Sequence, residues 1–153
     1  MKSDFLNIVL YEPEIPQNTG NIARLCACIG AKLYLVGRLG FNFSDKYMKR
    51  AGLDYWDIVE VEHIESLDIL LNEYKDSNFY YFTTKTKQKY TDFSYKKGDF
   101  LIFGPETRGI PTEILNKNSK NCATIPMKEN ARSLNLSNSV AIAAYEAFRQ
   151  FNI

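Results

Sequence analysis

The chain has 153 residues, 45% hydrophobic and 24% charged, with a formal net charge of +1, which predicts one globular domain able to bury a full core. That charge excludes a histone-like or tail-driven nucleic-acid binder, so any RNA contact must come from a local patch. No apolar run reaches the roughly 20 residues that span a bilayer, and Met1-Lys2-Ser3-Asp4 opens no signal-peptide pattern, so a cytoplasmic protein without membrane partners is expected.

In chain order, the short apolar run Asn7–Tyr11, closed by Pro13 and Pro16, predicts a buried strand. Asn18-Thr19-Gly20 offers caps for a helix from Asn21 to about Gly30, in which Ile22, Leu25, Cys26 and Ile29 form one apolar stripe. Lys32–Val36 reads as a strand, Asp45–Ala51 as a short basic helix and Ile58–Val61 as another strand. Ser66–Tyr74 predicts a helix with Leu67, Leu70 and Leu71 inward, and Phe79–Thr83 and Phe100–Phe103 predict strands. Between those two, Lys85, Lys87 and Lys89 alternate, so an extended backbone would point all three to one face. Pro111 at a first helical position opens a helix to about Leu115, and Ala123–Ile125 is the last strand. The closing helix runs from about Leu136 to Phe151.

Strands alternating with helices predict an α/β fold, a mostly parallel sheet with helices on both faces. On the closing helix, Leu136, Val140, Ala143, Ala144, Ala147, Phe148 and Phe151 cover an arc wider than one core-facing stripe requires. Deep burial and a shared subunit interface both account for that arc. The cysteines, Cys26, Cys28 and Cys122, are odd in number and lack CxxC spacing, which predicts buried reduced thiols and no zinc site. The single histidine, His63, lies far in sequence from every candidate site, which disfavours a serine or cysteine hydrolase.

Three segments suit a ligand site at the carboxyl ends of strands. The first, Pro16-Gln17-Asn18-Thr19-Gly20-Asn21-Ile22-Ala23-Arg24, places Arg24 opposite the apolar stripe and beside an Asn-rich helix start suited to anions. A solvated surface arginine would have the same pattern. The second, Phe103-Gly104-Pro105-Glu106-Thr107-Arg108-Gly109, links a strand to a helix; Gly104 permits close approach to the backbone and Pro105 stiffens the loop. A tight turn with no role is the plainer account of that loop alone. It is neither a P-loop nor a GxGxxG dinucleotide fingerprint. The third, Ile125-Pro126-Met127 followed by Arg132-Ser133-Leu134-Asn135-Leu136-Ser137-Asn138, ends a strand and feeds small polar residues into the last helix. Lys46, Lys49 and Arg50, with the three alternating lysines, would make a phosphate-binding patch or merely a solubilising edge.

Taken together and in order, these segments resemble the three motifs of the SPOUT ribose 2′-O-methyltransferases. Leu10-Tyr11-Glu12-Pro13-Glu14-Ile15-Pro16 and Arg50-Ala51-Gly52-Leu53-Asp54-Tyr55 resemble the TrmL-like branch, which methylates the wobble nucleotide, position 34, of tRNA. The resemblance implies a single SPOUT domain over residues 1–153, with a C-terminal deep trefoil knot and no separate RNA-binding domain. It also implies S-adenosylmethionine as methyl donor (S-adenosylhomocysteine as product), no metal, a homodimer, and tRNA rather than DNA as partner, recognised at the anticodon stem-loop. Carried over by residue, Arg24 would be catalytic, and Phe82, Gly104, Ile125, Met127, Ser133 and Leu134 would bind the cofactor. Asn18, Lys85 and Arg132 would touch RNA, and Tyr47, Tyr55 and Trp56 are candidates for base stacking. The same chemistry on another tRNA position or on ribosomal RNA, or a non-catalytic RNA-binding factor, is the alternative.

Overall fold

A computed structural model describes residues 1–151. Six strands form one sheet in the order β3-β2-β1-β5-β4-β6, and every neighbouring pair is parallel. They are β1 (Asn7–Tyr11), β2 (Lys32–Val36), β3 (Val61–Ile64), β4 (Phe79–Phe82), β5 (Phe100–Phe103) and β6 (Cys122–Ala123). The helices are α1 (Pro16–Ile29), α2 (Lys46–Gly52), α3 (Leu67–Glu73), α4 (Thr112–Lys117) and α5 (Leu136–Gln150), with a 3-10 turn over Leu53–Asp57 after α2.

The central strands are apolar along nearly their whole length because both sheet faces are covered. Side-chain alternation sorts each strand between two cores. Ile8, Leu10, Leu33, Leu35, Tyr80, Phe82, Leu101 and Phe103 face α1 and α5, packing on Ile22, Cys26, Val140, Ala143, Ala144 and Ala147. Val9, Tyr34, Val36, Phe79, Tyr81, Phe100 and Ile102 face the other way, against Leu67 and Leu70 of α3 and Leu115 of α4. The expected α/β architecture with helices on both faces is therefore present.

Several boundaries differ from the sequence-based expectation. Helix α1 begins at Pro16, five residues before Asn21, since Pro16 presets the helical φ and has no N–H to satisfy. It ends at Gly30, whose φ of 77° suits a residue without a Cβ. Strand β3 is Val61–Ile64, not Ile58–Val61: its register is set by pairing Leu33 with Val61 and Val36 with Ile64, and Ile58 is left 69% exposed. Strand β6 is Cys122–Ala123, ending before Ile125. Pro111 caps α4 from outside its first residue, Thr112. No strand forms over residues 83–88: the chain bends at Thr84 and Lys85, where the Thr83 hydroxyl accepts the Lys85 N–H, and the Thr86 hydroxyl accepts the Gln88 N–H. The unbroken strand that would align Lys85, Lys87 and Lys89 is therefore not present. Cys26 and Cys122 are buried, but Cys28 is exposed, two positions from Cys26 and so around the far side of α1.

On α5, Val140, Ala143, Ala144 and Ala147 are fully buried, while Leu136, Phe148 and Phe151 pack half-buried against the same core. The wide apolar arc is thus spent within the chain, and Ile142 and Tyr145 remain on the outer face.

Helix α2 is seated directly on α1. The Asp45 carboxylate caps it, accepting the N–H groups of Tyr47 and Met48 at 2.8 and 3.2 Å. A Cβ at Gly20 would overlap the Met48 carbonyl and lie 2.7 Å from the Ala51 Cβ. The helices meet this closely only because position 20 has no side chain. Gly20→Ala should therefore destabilise the protein by about 1–3 kcal/mol, the usual cost of overpacking, where the same change in an open helix stabilises. Urea denaturation of the two proteins measures the sign.

Candidate functional site

The loops leaving β1, β4, β5 and β6 converge at the carboxyl ends of the strands, the usual ligand position in an open parallel sheet. They enclose a cavity of about 540 Å³, within the size range of small-molecule sites. Its floor is Phe82, Phe103 and Ala123, with the two phenylalanine rings stacked 4.7 Å apart. Thr83–Lys85 and Gly104–Ile110 form two walls, Thr124, Ile125 and Met127 a third, and Arg132–Leu136 the rim beside Ile15 and Asn18.

Each wall has a local cause. Gly104 sits against the turn that follows it, and an added Cβ would overlap the Ile110 nitrogen and the Gly109 carbonyl carbon. Gly109 closes that turn at φ 69°, its N–H donating to the Pro105 carbonyl at 2.8 Å. Asn135 caps α5, accepting the N–H groups of Ser137 and Asn138 at 2.9 and 3.2 Å. Its own amide donates to the Asn18 side-chain oxygen at 3.2 Å, which ties the start of α5 to the start of α1.

A second tie joins the β1–α1 and β5–α4 loops. The Glu106 carboxylate accepts the backbone N–H groups of Glu14 and Ile15, each at 2.8 Å, and the Asn18 amide at 3.2 Å. In return the Glu14 carboxylate accepts the Thr107 N–H at 2.9 Å and its hydroxyl at 2.8 Å. Arg108 pairs with Glu12 at 3.5 Å, and Glu12 holds a left-handed backbone at φ 48°. Helix α1 has no side-chain cap of its own at Ile15. Glu106 places a negative charge at its positive end instead.

Of the residues singled out from sequence, Phe82, Gly104, Ile125, Met127, Ser133 and Leu134 all line the one cavity. Asn18, Lys85 and Arg132 line it as well. Asn18 is buried and committed to Glu106 and Asn135, so it braces the site, whereas Lys85 and Arg132 are exposed at the mouth. Arg24 does not line the cavity. It is exposed further along α1, its guanidinium 5.5 Å from the centre of the Tyr55 ring. Sequence reasoning missed Glu106, Glu14 and Thr107, because nothing in their spacing marks side chains about 90 positions apart as partners.

Chemically, the cavity has an aromatic floor and mixed polar walls, and no imidazole lines it. His63 instead meets the Gly37 carbonyl at 2.9 Å, beside the other edge of the sheet. Ser133 therefore has no histidine base, and a hydrolytic triad is not assembled. Among the described residues no group of three His, Cys, Asp or Glu side chains is placed to hold a metal ion.

Two outcomes follow from the carboxylate exchange. Glu106→Gln should lower stability by about 1.5–3 kcal/mol, the range for hydrogen bonds to a charged group, read from urea unfolding at neutral pH. The Thr107 backbone and hydroxyl hydrogen bonds hold the Glu14 carboxyl below the ordinary glutamate range. A depressed folded-state pKa stabilises the protein above the unfolded value, about 4.3, and that contribution disappears as pH falls through the folded value. Unfolding of wild type and Glu14→Gln from pH 7 to pH 3 should show a gap that closes toward the acid end.

The family model for the SpoU rRNA Methylase family matches residues 5–145. A Listeria monocytogenes protein is 50% identical over 149 residues, covering 95% of this chain and 88% of its own length. The Escherichia coli K12 protein named tRNA (cytidine(34)-2'-O)-methyltransferase is 46% identical over 146 residues, covering 95% and 93%. A structure described as giving insights into the 2-OH methylation of C/U34 on tRNA superposes with a TM-score of 0.92 at 41% identity, covering 97% of both chains. Likeness of this extent, reaching from the first strand into the last helix, makes the chain a member of the SpoU methylase family.

Proposed function

We propose that the protein transfers a methyl group from S-adenosylmethionine to the ribose 2′-oxygen of the wobble nucleotide, position 34, in the anticodon loop of tRNA. It acts as a cytoplasmic homodimer, with residues 1–153 as one catalytic domain whose C-terminal segment is knotted. The observation that carries this reading is the convergence of three separate sequence segments on one 540 Å³ cavity, in a chain 46% identical to a protein named for that activity.

The residues present suit the methyl donor. Gly104 keeps the β5–α4 loop folded tightly on itself at the cavity wall, because a Cβ there would strike the Gly109 and Ile110 backbone. Ile125 and Met127, just past the end of β6, would offer backbone groups to the adenine edge and pack side chains on its faces. Phe82 and Leu134 supply apolar contact, and Ser133 a hydroxyl. Bound S-adenosylmethionine supplies an electrophilic sulfonium methyl.

The chain's own task is to orient the ribose and manage its proton. Orientation contributes on the order of 7–11 kcal/mol to such a reaction. The 2′-hydroxyl proton must leave as the new O–CH3 bond forms and the donor's S–CH3 bond breaks, leaving S-adenosylhomocysteine. Guanidinium groups act as fixed cations in proteins, so Arg24 stabilises the developing alkoxide and holds an RNA phosphate, while the proton passes to that phosphate or to water. The position of Arg24 over Tyr55 supports a clamp, because no carboxylate neutralises it among the described ion pairs. Exposed Ile15 and Leu134 at the cavity rim, with Ile142 and Tyr145 on α5, support a subunit contact beside the site.

Labelled methyl transfer to unmodified tRNA, followed by nucleoside mapping, should give a 2′-O-methyl mark confined to nucleotide 34. A mark elsewhere in tRNA, or transfer only to ribosomal RNA, overturns the substrate. In the same assay Arg24→Lys should lose at least tenfold in rate across the pH range. A near-full rate with a shifted optimum would instead make Arg24 a general base.

A further inference from the structure

Helix α2 and the 3-10 turn after it form a ledge on the outer side of α1. Lys46, Lys49 and Arg50 are exposed there, and Arg24 of α1 lies by Tyr55 in the same segment. None of these four cations takes part in an ion pair among the described residues, although Asp45, Asp54 and Asp57 lie in the same segment. The Asp45 carboxylate is occupied by the α2 cap. Three of the cations lie over aromatic rings instead: Arg24 over Tyr55 at 5.5 Å, Lys46 over Tyr47 at 5.2 Å and Lys49 over Trp56 at 5.3 Å. Tyr47 is 45% exposed.

The ledge is closely packed. Gly20 lets α2 approach α1, and a Cβ at Gly52 would overlap the Trp56 indole, whose Nε1 donates to the Lys49 carbonyl at 3.0 Å. Leu53 turns the chain with a left-handed φ of 51°, a conformation a branched side chain resists. Asn18 at the cavity and Arg24 at the ledge are six residues apart on one helix, roughly 9 Å of axial rise at 1.5 Å per residue.

Unpaired cations interleaved with the exposed Tyr47 ring and the half-buried rings of Tyr55 and Trp56, joined by a short helix segment to a cavity, match a single-stranded nucleic acid. Phosphates take the cations, and an unstacked base takes a ring face. We infer that this ledge binds the single-stranded anticodon loop of the RNA substrate, with Lys46, Lys49 and Arg50 on phosphates and Tyr47 under a base. Arg24 then stands where the bound strand turns toward the cavity. The inference rests on the tRNA reading above and adds where the RNA lies.

The test uses the full chain and an unmodified tRNA transcript, with binding measured across a salt series. K46A/K49A/R50A should bind tRNA at least tenfold more weakly, and the slope of log K against log salt should be shallower by about 2–3, since each phosphate contact contributes about 0.7–0.9. Its S-adenosylmethionine affinity and unfolding midpoint should match wild type. K75A/K96A/K97A removes the same charge from the opposite end of the sheet and should leave the slope unchanged. Tyr47→Ala should weaken binding and Tyr47→Phe retain it. If K46A/K49A/R50A behaves like K75A/K96A/K97A while wild type methylates tRNA, the ledge is not the RNA site. If both triple variants weaken binding equally, attraction is diffuse and the ledge is again excluded. If wild type neither binds nor methylates tRNA, the substrate reading itself fails, and retention of an acidic protein by the ledge would identify a different partner.

Discussion

Everything at the active end of this sheet depends on keeping the β1–α1 and β5–α4 loops together. Strands β1 and β5 are neighbours in the sheet, yet the chain leaves β1 toward β2 and reaches β5 only after building the far edge. Loops at such a switch point diverge, and divergence is what opens a ligand crevice. A crevice with mobile walls is a poor binding site, because ordering them on binding reduces affinity. Glu106 and Glu14 solve this by exchange: each carboxylate accepts donors from the other's loop. Carboxylates suit the task because each accepts two or three hydrogen bonds at once and the bonds are charge-assisted.

That tie propagates. Fixing Ile15 and Asn18 fixes the start of α1, and the Asn18–Asn135 hydrogen bond then fixes the start of α5. The rim of the cavity and the end of the chain are thereby referenced to the same two loops. On the other side of α1, Gly20 carries the same reference to α2. One helix thus sets the position of the cavity, the ledge and Arg24 relative to one another. Helix α5 fits beneath this arrangement because Ala143, Ala144 and Ala147 let it approach the sheet closely.

Much of this was legible in the sequence where the signal is local. Parallel strands buried on both faces read as continuous apolar runs, so β1, β2 and β5 were visible as such. Phe82, Gly104, Ile125, Met127 and Ser133 were assigned to one site by the resemblance to the SPOUT methyltransferases, and they do line one cavity at the carboxyl ends of the strands. Where register or distant partners decide, the sequence is silent. Ile58-Val59 looks more strand-like than Glu62-His63, yet pairing with β2 selects the latter. The start of α1 was misplaced because its compensating charge comes from Glu106, on another loop. The lysines at 85, 87 and 89 read as a stripe, but the chain bends at Thr84 and Lys85 and no strand forms there.

The separation of Arg24 from the cavity has its own logic. A general base must reach the 2′-hydroxyl at hydrogen-bond distance, in a site closed to water. A cation that pairs with a phosphate has no such requirement and can sit at the surface, as Arg24 does. The Tyr55 ring, 5.5 Å from the guanidinium, leaves the Arg24 charge unneutralised, which a carboxylate partner would not. An arginine held by an aromatic ring keeps its full charge for a ligand that arrives later. The same arrangement recurs at Lys46 and Lys49, so none of these cations is neutralised by an ion pair among the described residues.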